Sequence, residues 1–106
     1  MADTPAELND AELQQQLNLE TGRLGWPELQ RHFARGVVII LSRDMDLVVV
    51  ASRFAQDDRI RVEQWLDQGN IRRASDADAQ HWSRTEPAFW AIVVAPWVLV
   101  QEITVQ

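Results

Sequence analysis

The amino-acid sequence predicts a single α+β domain in which about four helices pack with a small, mostly antiparallel sheet of about three strands. Helix-capping residues precede amphipathic segments, β-branched runs lie between those segments, and no linker or repeat divides the 106 residues. With 46% hydrophobic and 25% charged residues, the composition is typical of a globular chain that buries its own core.

Capping residues mark the first two predicted helices. Thr4 and Asn9 are two possible starts of the first helix, since each precedes a glutamate by three positions, which is the spacing of a capping box. Gly22 marks the end of this helix. The second helix is predicted over Pro27–Ala34, with Gly36 as its C-cap.

Two further helices are predicted in the second half of the chain. Asp57 or Asp58 caps the third helix, which ends at Gly69 and directs Ile60 away from the core. Ser75 caps the fourth helix.

The predicted strands are runs of apolar and β-branched residues. Residues 37–41 are apolar at every position, which predicts a strand buried on both faces. Residues 47–51 have the same character, and we expect these two strands to form a hairpin. Residues 89–105 are predicted to be extended, interrupted at Pro96, which cannot donate a hydrogen bond to a sheet and marks an edge, a bulge or a bend.

The charge and the missing residue types exclude several classes of function. Sixteen acidic and ten basic residues give a net charge of −6, and every base is an arginine. The absence of lysine, cysteine and tyrosine excludes disulfides, thiolate nucleophiles and Schiff-base chemistry. Because no concentrated basic face is present, we do not expect nucleic-acid binding.

Neither a targeting sequence nor a membrane span is predicted. Residues 1–7 are polar and acidic, which predicts a loosely ordered N-terminus and not a signal peptide. The longest apolar segment, residues 88–100, is too short to cross a bilayer. We therefore expect a cytoplasmic protein without membrane contacts.

Several short sequence strings follow one another along the chain in a characteristic order. They are Trp26-Pro27-Glu28-Leu29, Phe33-Ala34-Arg35-Gly36, Asp46-Leu47-Val48-Val49-Val50-Ala51 followed by Asp57, Trp65-Leu66-Asp67-Gln68-Gly69 and Pro96-Trp97-Val98-Leu99-Val100-Gln101-Glu102. In their order and spacing they resemble the small bacterial family known as domain of unknown function 2288, over roughly residues 8–103. No activity is assigned to that family, so the resemblance implies no catalytic residues.

The last strand carries three candidate residues for binding a ligand or a partner. Trp97 follows the proline that interrupts the strand, and such irregularities often direct side chains toward binding sites. Gln101 and Glu102 follow a continuous apolar run, so one of them is expected to face inward if the strand continues. The simpler interpretation is that the strand emerges into solvent here. The alternative hypothesis is that Glu102 pairs with an arginine, Arg35 or Arg53, because a buried carboxylate needs a partner.

Three more candidates lie at the ends of predicted elements. Asp46 and Asp57 are acidic residues beside strand and helix ends, where they either cap helices or join a binding site. Ile60 is an apolar residue on an outward helix face. We predict no metal site, cofactor or catalytic residue, because the carboxylates, histidines and serines form no recognisable motif.

Two classes of function remain open. The leading interpretation is a non-catalytic protein-interaction or regulatory module of the bacterial cytoplasm, whose partner is another protein or a second copy in a homodimer. The alternative is a small-molecule-binding protein or hydrolase with a pocket near Pro96 and Trp97 and the nearby carboxylates.

Overall fold

Residues 9–103, which the computed structural model describes, form five helices and five strands. The helices are α1 (Asp10–Glu20), α2 (Trp26–Ala34), α3 (Leu47–Ala55), α4 (Arg59–Gln68) and α5 (Asp76–Thr85). The strands are β1 (Gly22–Gly25), β2 (Val38–Leu41), β3 (Ile71–Arg73), β4 (Ala88–Val94) and β5 (Trp97–Glu102). The predicted loosely ordered segment, residues 1–7, lies outside the described residues.

The strands form one mixed sheet in the order β1-β4-β5-β2-β3. The central strand β5 pairs antiparallel with β4 and parallel with β2, and both outer pairings are antiparallel. The α+β class is therefore confirmed. The predictions of about three strands and about four helices are wrong, since there are five of each among the described residues, and the parallel β2–β5 pair makes the sheet mixed.

Apolar side chains on both faces of the sheet require a helical layer on each side. In β5, Leu99 faces α1, α3 and α4, whereas Val98 and Val100 face α2 and α5. All three side chains are at most 2% exposed. Strands that are apolar on both faces need cover on both sides, which explains the three-layer arrangement.

An aromatic cluster fills the core between the sheet and helices α2 and α5. The ring centroid of Trp82 lies 5.4 Å from that of Trp26 and 5.0 Å from that of Phe89. Phe33 makes an edge-to-face contact with Trp26 at 5.9 Å. Trp26 and Trp82 are buried in this core, and Trp65 packs half-buried against the opposite core.

Caps predicted from the sequence are present at five helix ends. The side chains of Asn9, Asp58 and Ser75 each accept a hydrogen bond from a backbone N–H of the first helical turn. Gly36 follows α2 with a φ of 74°, and Gly69 follows α4 with a φ of 77°. Both glycines adopt the left-handed conformation that favours this residue.

Residues 47–51 form the first part of α3, so the predicted second strand and its hairpin with residues 37–41 are wrong. The Asp46 carboxylate caps this helix and accepts hydrogen bonds from the backbone N–H groups of Val48 at 3.0 Å and Val49 at 3.3 Å. The inward-facing residues of α3, spaced as one helical face, are Leu47, Val50, Ala51 and Phe54. This helical spacing outweighs the β-propensity of the valines.

The other differences from the prediction are short elements at the sheet edges. Strand β1 pairs only with β4, and the three-residue strand β3 pairs only with β2. Both follow a helix after one or two residues, and neither has the β-branched run by which a strand is recognised in a sequence. Within residues 9–103, none of the helices combines the length and hydropathy needed to cross a membrane.

One ion pair fastens the edge strand β3 to α5. The Arg72 guanidinium donates two hydrogen bonds to the Asp78 carboxylate, from Nη1 at 2.6 Å and from Nη2 at 2.8 Å. The Ser75 backbone N–H donates a third at 2.8 Å. The hydrogen bonds from Arg72 hold the pKa of Asp78 well below its usual range, against the opposing effect of burial.

Replacing the cap of α3 tests the corrected assignment of residues 47–51. We expect Asp46→Ala to lower the free energy of unfolding by about 1–2 kcal/mol, because two backbone donors lose their acceptor. Urea denaturation measures the change. Asp44→Ala is the control, since the Asp44 carboxylate accepts only from the Ser42 hydroxyl. Equal losses for the two variants would contradict the capping role.

The Arg72–Asp78 pair predicts a pH-dependent contribution to stability. Folding lowers the pKa of Asp78. The contribution of Asp78 to the free energy of unfolding is therefore complete above its unfolded pKa of about 4 and is lost as the pH falls toward its folded pKa. At neutral pH, Asp78→Asn should destabilise by only about 1 kcal/mol, since the Arg72 side chain is 54% exposed and water screens the pair.

Urea denaturation at pH 7 and pH 2 checks this dependence. The difference in unfolding free energy between the wild type and Asp78→Asn should shrink at the lower pH. Asp76→Asn, on the exposed first turn of the same helix, serves as the control. A difference that stays constant with pH would rule out the ion pair as its source.

Candidate functional site

A groove of about 750 Å³ opens on the α1–α3–α4 side of the sheet, between α4 and the turn that joins β4 to β5. We call it the α4 groove. Its lining residues are Ile39, Phe54, Asp57, Asp58, Arg59, Val62, Glu63, Leu66, Arg73, Val94, Ala95, Pro96 and Trp97. Apolar side chains predominate, and charged groups of both signs accompany them.

Helix α4 forms one wall and is the least buried helix of those described. None of its residues is buried, whereas α3 buries four of its nine. Val62 is half-buried on the inner side, and Leu66 is 46% exposed. On the outer side, next to the lining residues Arg59 and Glu63, Ile60 is 73% exposed. Apolar area therefore remains open to solvent along this helix.

The Arg73 guanidinium lies over the Trp97 ring at the sheet side of the groove. The Arg73 guanidinium carbon lies 5.2 Å from the centroid of the Trp97 ring, a cation–π distance. Alternation along β3 directs the neighbouring Arg72 to the opposite face, where it binds Asp78. Among the described residues, Arg73 has no carboxylate within ion-pair distance.

The acidic groups of the groove lie on α4 and on the turn before it. Asp57 has a φ of 57°, an uncommon left-handed conformation that aspartate tolerates better than most residues. Asp58 is committed to the fold, because it caps α4 and lies 3.7 Å from the Arg53 guanidinium. Asp57 and Glu63 form none of the ion pairs found within residues 9–103.

Three of the six candidate residues from the sequence lie in or beside the groove. Trp97 and Asp57 line it, and Ile60 lies on its wall helix. Asp46 and Gln101 lie elsewhere: Asp46 caps the far end of α3, and Gln101 is four residues from Trp97 along β5, about 13 Å in an extended strand.

Gln101 faces inward and holds a loop. Its Nε2 donates to the backbone carbonyls of Ser42 at 2.8 Å and Met45 at 2.7 Å. These bonds tie β5 to the connection between β2 and α3. The side chain therefore supports the fold at the end of the sheet opposite the groove.

The alternative hypothesis of an ion pair between Glu102 and Arg35 or Arg53 is wrong. Glu102 is half-buried at the end of β5 and takes part in none of the ion pairs of residues 9–103. Arg53 instead lies 3.8 Å from Asp10 and 3.7 Å from Asp58, so it joins α3 to α1 and α4.

The acidic pairs that flank α3 do not converge. Asp44 and Asp46 precede this nine-residue helix and Asp57 and Asp58 follow it, which separates the pairs by about 14 Å. Residues 9–103 contain no group of three or more histidine, aspartate or glutamate side chains placed to hold a metal ion.

The sequence predicted a pocket near Pro96 and Trp97 but did not identify Arg73 or Phe54 as part of it, because long-range packing brings them there. Arg73 belongs to the edge strand β3, and Phe54 belongs to α3, whose first five residues were predicted as a strand. A usable signal exists for Phe54, since it continues the helical spacing of Leu47, Val50 and Ala51. No local pattern places Arg73 beside Trp97.

Truncating Gln101 tests its structural role. Gln101→Ala should lower the free energy of unfolding by about 1–3 kcal/mol, because two part-buried carbonyls lose their donor. Chemical denaturation checks this, with Gln30→Ala at an exposed position of α2 as the control. If both variants unfold like the wild type, Gln101 is free for another role.

Comparison with known proteins identifies the family but assigns no activity. The family model described as "Protein of unknown function (DUF2288)" matches residues 12–102. No curated protein matches the chain. The NMR solution structure of PA1075 from Pseudomonas aeruginosa shares 34% sequence identity over the whole of both chains, with a TM-score of 0.74. The chain therefore belongs to the family of unknown function numbered 2288.

Proposed function

We propose that this protein is a non-catalytic protein-interaction module of the bacterial cytoplasm and that it binds its partner through the α4 groove. The observation that carries the proposal is the exposure of α4, which buries none of its residues and leaves Leu66 46% exposed beside a groove of about 750 Å³. Exposed apolar surface with a charged rim is typical of protein–protein contact sites.

The chemistry of the groove favours binding over catalysis. Its lining contains no histidine, serine or threonine among the described residues, so proton transfer in a reaction would depend on carboxylates alone. Asp58 is already engaged by Arg53 and by the backbone of α4. The pair of Arg73 and Trp97 offers a cation and an aromatic edge, which serve recognition.

The size of the groove supports a second candidate, a small-molecule-binding protein. A volume of about 750 Å³ lies within the usual range of ligand sites, roughly 300–1,000 Å³. Arg73, Asp57 and Glu63 would orient a polar ligand over the apolar floor. We place this candidate second because the groove is open along α4 and does not enclose a ligand.

Site-specific photo-cross-linking in cells tests the leading proposal. Benzoylphenylalanine at position 66 should form a discrete adduct with one partner protein, whereas the same residue at position 19 should not. Leu19 is the matched control, because it is an apolar residue that is 80% exposed on α1, outside the groove.

Calorimetry with the purified partner then completes the test. Leu66→Asp should weaken binding at least about tenfold, as expected for an apolar contact residue, and Leu19→Asp should leave it unchanged. Identical adducts from both positions would contradict the proposal. A small metabolite that raises the melting temperature of the wild type, but not of Leu66→Asp, would favour the second candidate instead.

A further inference from the structure

We infer that the partner bound at the α4 groove is a second copy of this chain, with the α4 helices of the two protomers packed antiparallel about a two-fold axis. This inference rests on the proposed function of the groove as a protein-interaction surface. It names the occupant of that surface.

The first argument is that one surface carries both a projecting side chain and a recess. Ile60 is 73% exposed on α4, and its neighbours along the helix, Arg59 and Glu63, line the groove. A two-fold interface uses the same surface on both protomers, so it must be complementary to itself. Antiparallel packing of α4 would direct Ile60 of each protomer toward the groove of the other.

The second argument is the stripe that α4 presents to solvent. Eight of the ten residues of α4 are exposed, and five of these eight, at the spacing i, i+1, i+4, i+7 and i+8, share the side of the helix that carries Ile60 and Leu66. They are Arg59, Ile60, Glu63, Leu66 and Asp67. The middle residue, Glu63, would lie near the two-fold axis of an antiparallel pair.

The third argument is electrostatic. The chain carries a net charge of −6, so two copies repel each other across most of their surface. Residues 53–73, which include α4, carry five arginines and four acidic residues, and therefore do not add to this repulsion. In the antiparallel pair, Arg59 of each protomer would face Asp67 of the other. The two Glu63 carboxylates would meet near the axis, and each would have Arg59 of the other protomer about one helical turn away to offset their repulsion.

The length of α4 sets the expected strength of the dimer. Ten residues of helix extend about 15 Å. A contact made by one such helix from each protomer buries less area than the roughly 800 Å² that each partner contributes to a standard interface. We therefore expect a reversible dimer that responds to protein concentration.

Sedimentation velocity of the purified chain, from about 10 µM to about 1 mM, tests the inference, because this range brackets weak self-association. The wild type should shift from monomer to dimer. Ile60→Asp should weaken the dimer at least about tenfold, whereas Leu19→Asp should not change it. A monomer at every concentration, or equal effects of the two variants, overturns the inference. Thermal melting confirms that both variants, altered at exposed sites, stay folded.

A cysteine scan tests the packing geometry, since the chain has no cysteine of its own. Glu63→Cys should form a disulfide-linked dimer much faster than Gln80→Cys on α5, because only position 63 lies near the proposed axis. Equal rates of oxidation overturn the antiparallel α4 contact.

The cross-linking experiment separates the two proposals. Position 66 could capture a different protein whose binding is weakened by Leu66→Asp but not by Leu19→Asp. If the purified chain then stays monomeric, the dimer is wrong and the proposed function stands. If position 66 captures nothing and the chain is monomeric, both proposals fall. A self-adduct at position 66 supports both.

Discussion

The burial of β5 on both faces is the constraint on which the rest of the structure depends. Val98, Leu99 and Val100 are almost completely inaccessible, and β5 also has a neighbouring strand on each side. A strand in this position needs a helical layer above and below it. The division of the helices into α1, α3 and α4 on one face and α2 and α5 on the other satisfies this requirement.

The α4 groove forms because helices α1, α3 and α4 cover their face of the sheet unevenly. Helix α3 lies over the centre and buries Val50 and Ala51 completely. Helix α4 lies toward the edge strand β3, which has only three residues and a single buried side chain, Ile71. Such an edge offers little apolar area to cover. Part of the apolar side of α4, including Leu66, therefore faces the groove.

Elements with local signals could be predicted from the sequence. Asn9, Asp58 and Ser75 bind the backbone within their own helical turn, so their helices were recognisable without any knowledge of the fold. Helix α3 was not, because its valines have high β-propensity and its burial depends on the sheet. In the site, the proline before Trp97 gave a local cue. Arg73 had none, since its place beside Trp97 depends on how distant parts of the chain pack.

The place of β5 in the sheet also has a consequence for biosynthesis. The strand between β4 and β2 is the last of the five to be translated, and Leu99 pairs with Ile39 from a much earlier part of the chain. Strands β2 and β4 therefore leave the ribosome without the neighbour that they share. Until residues 97–102 have emerged, the helices have an incomplete sheet to cover. Tertiary folding of the nascent chain must then await the final strand, which closes both cores at once.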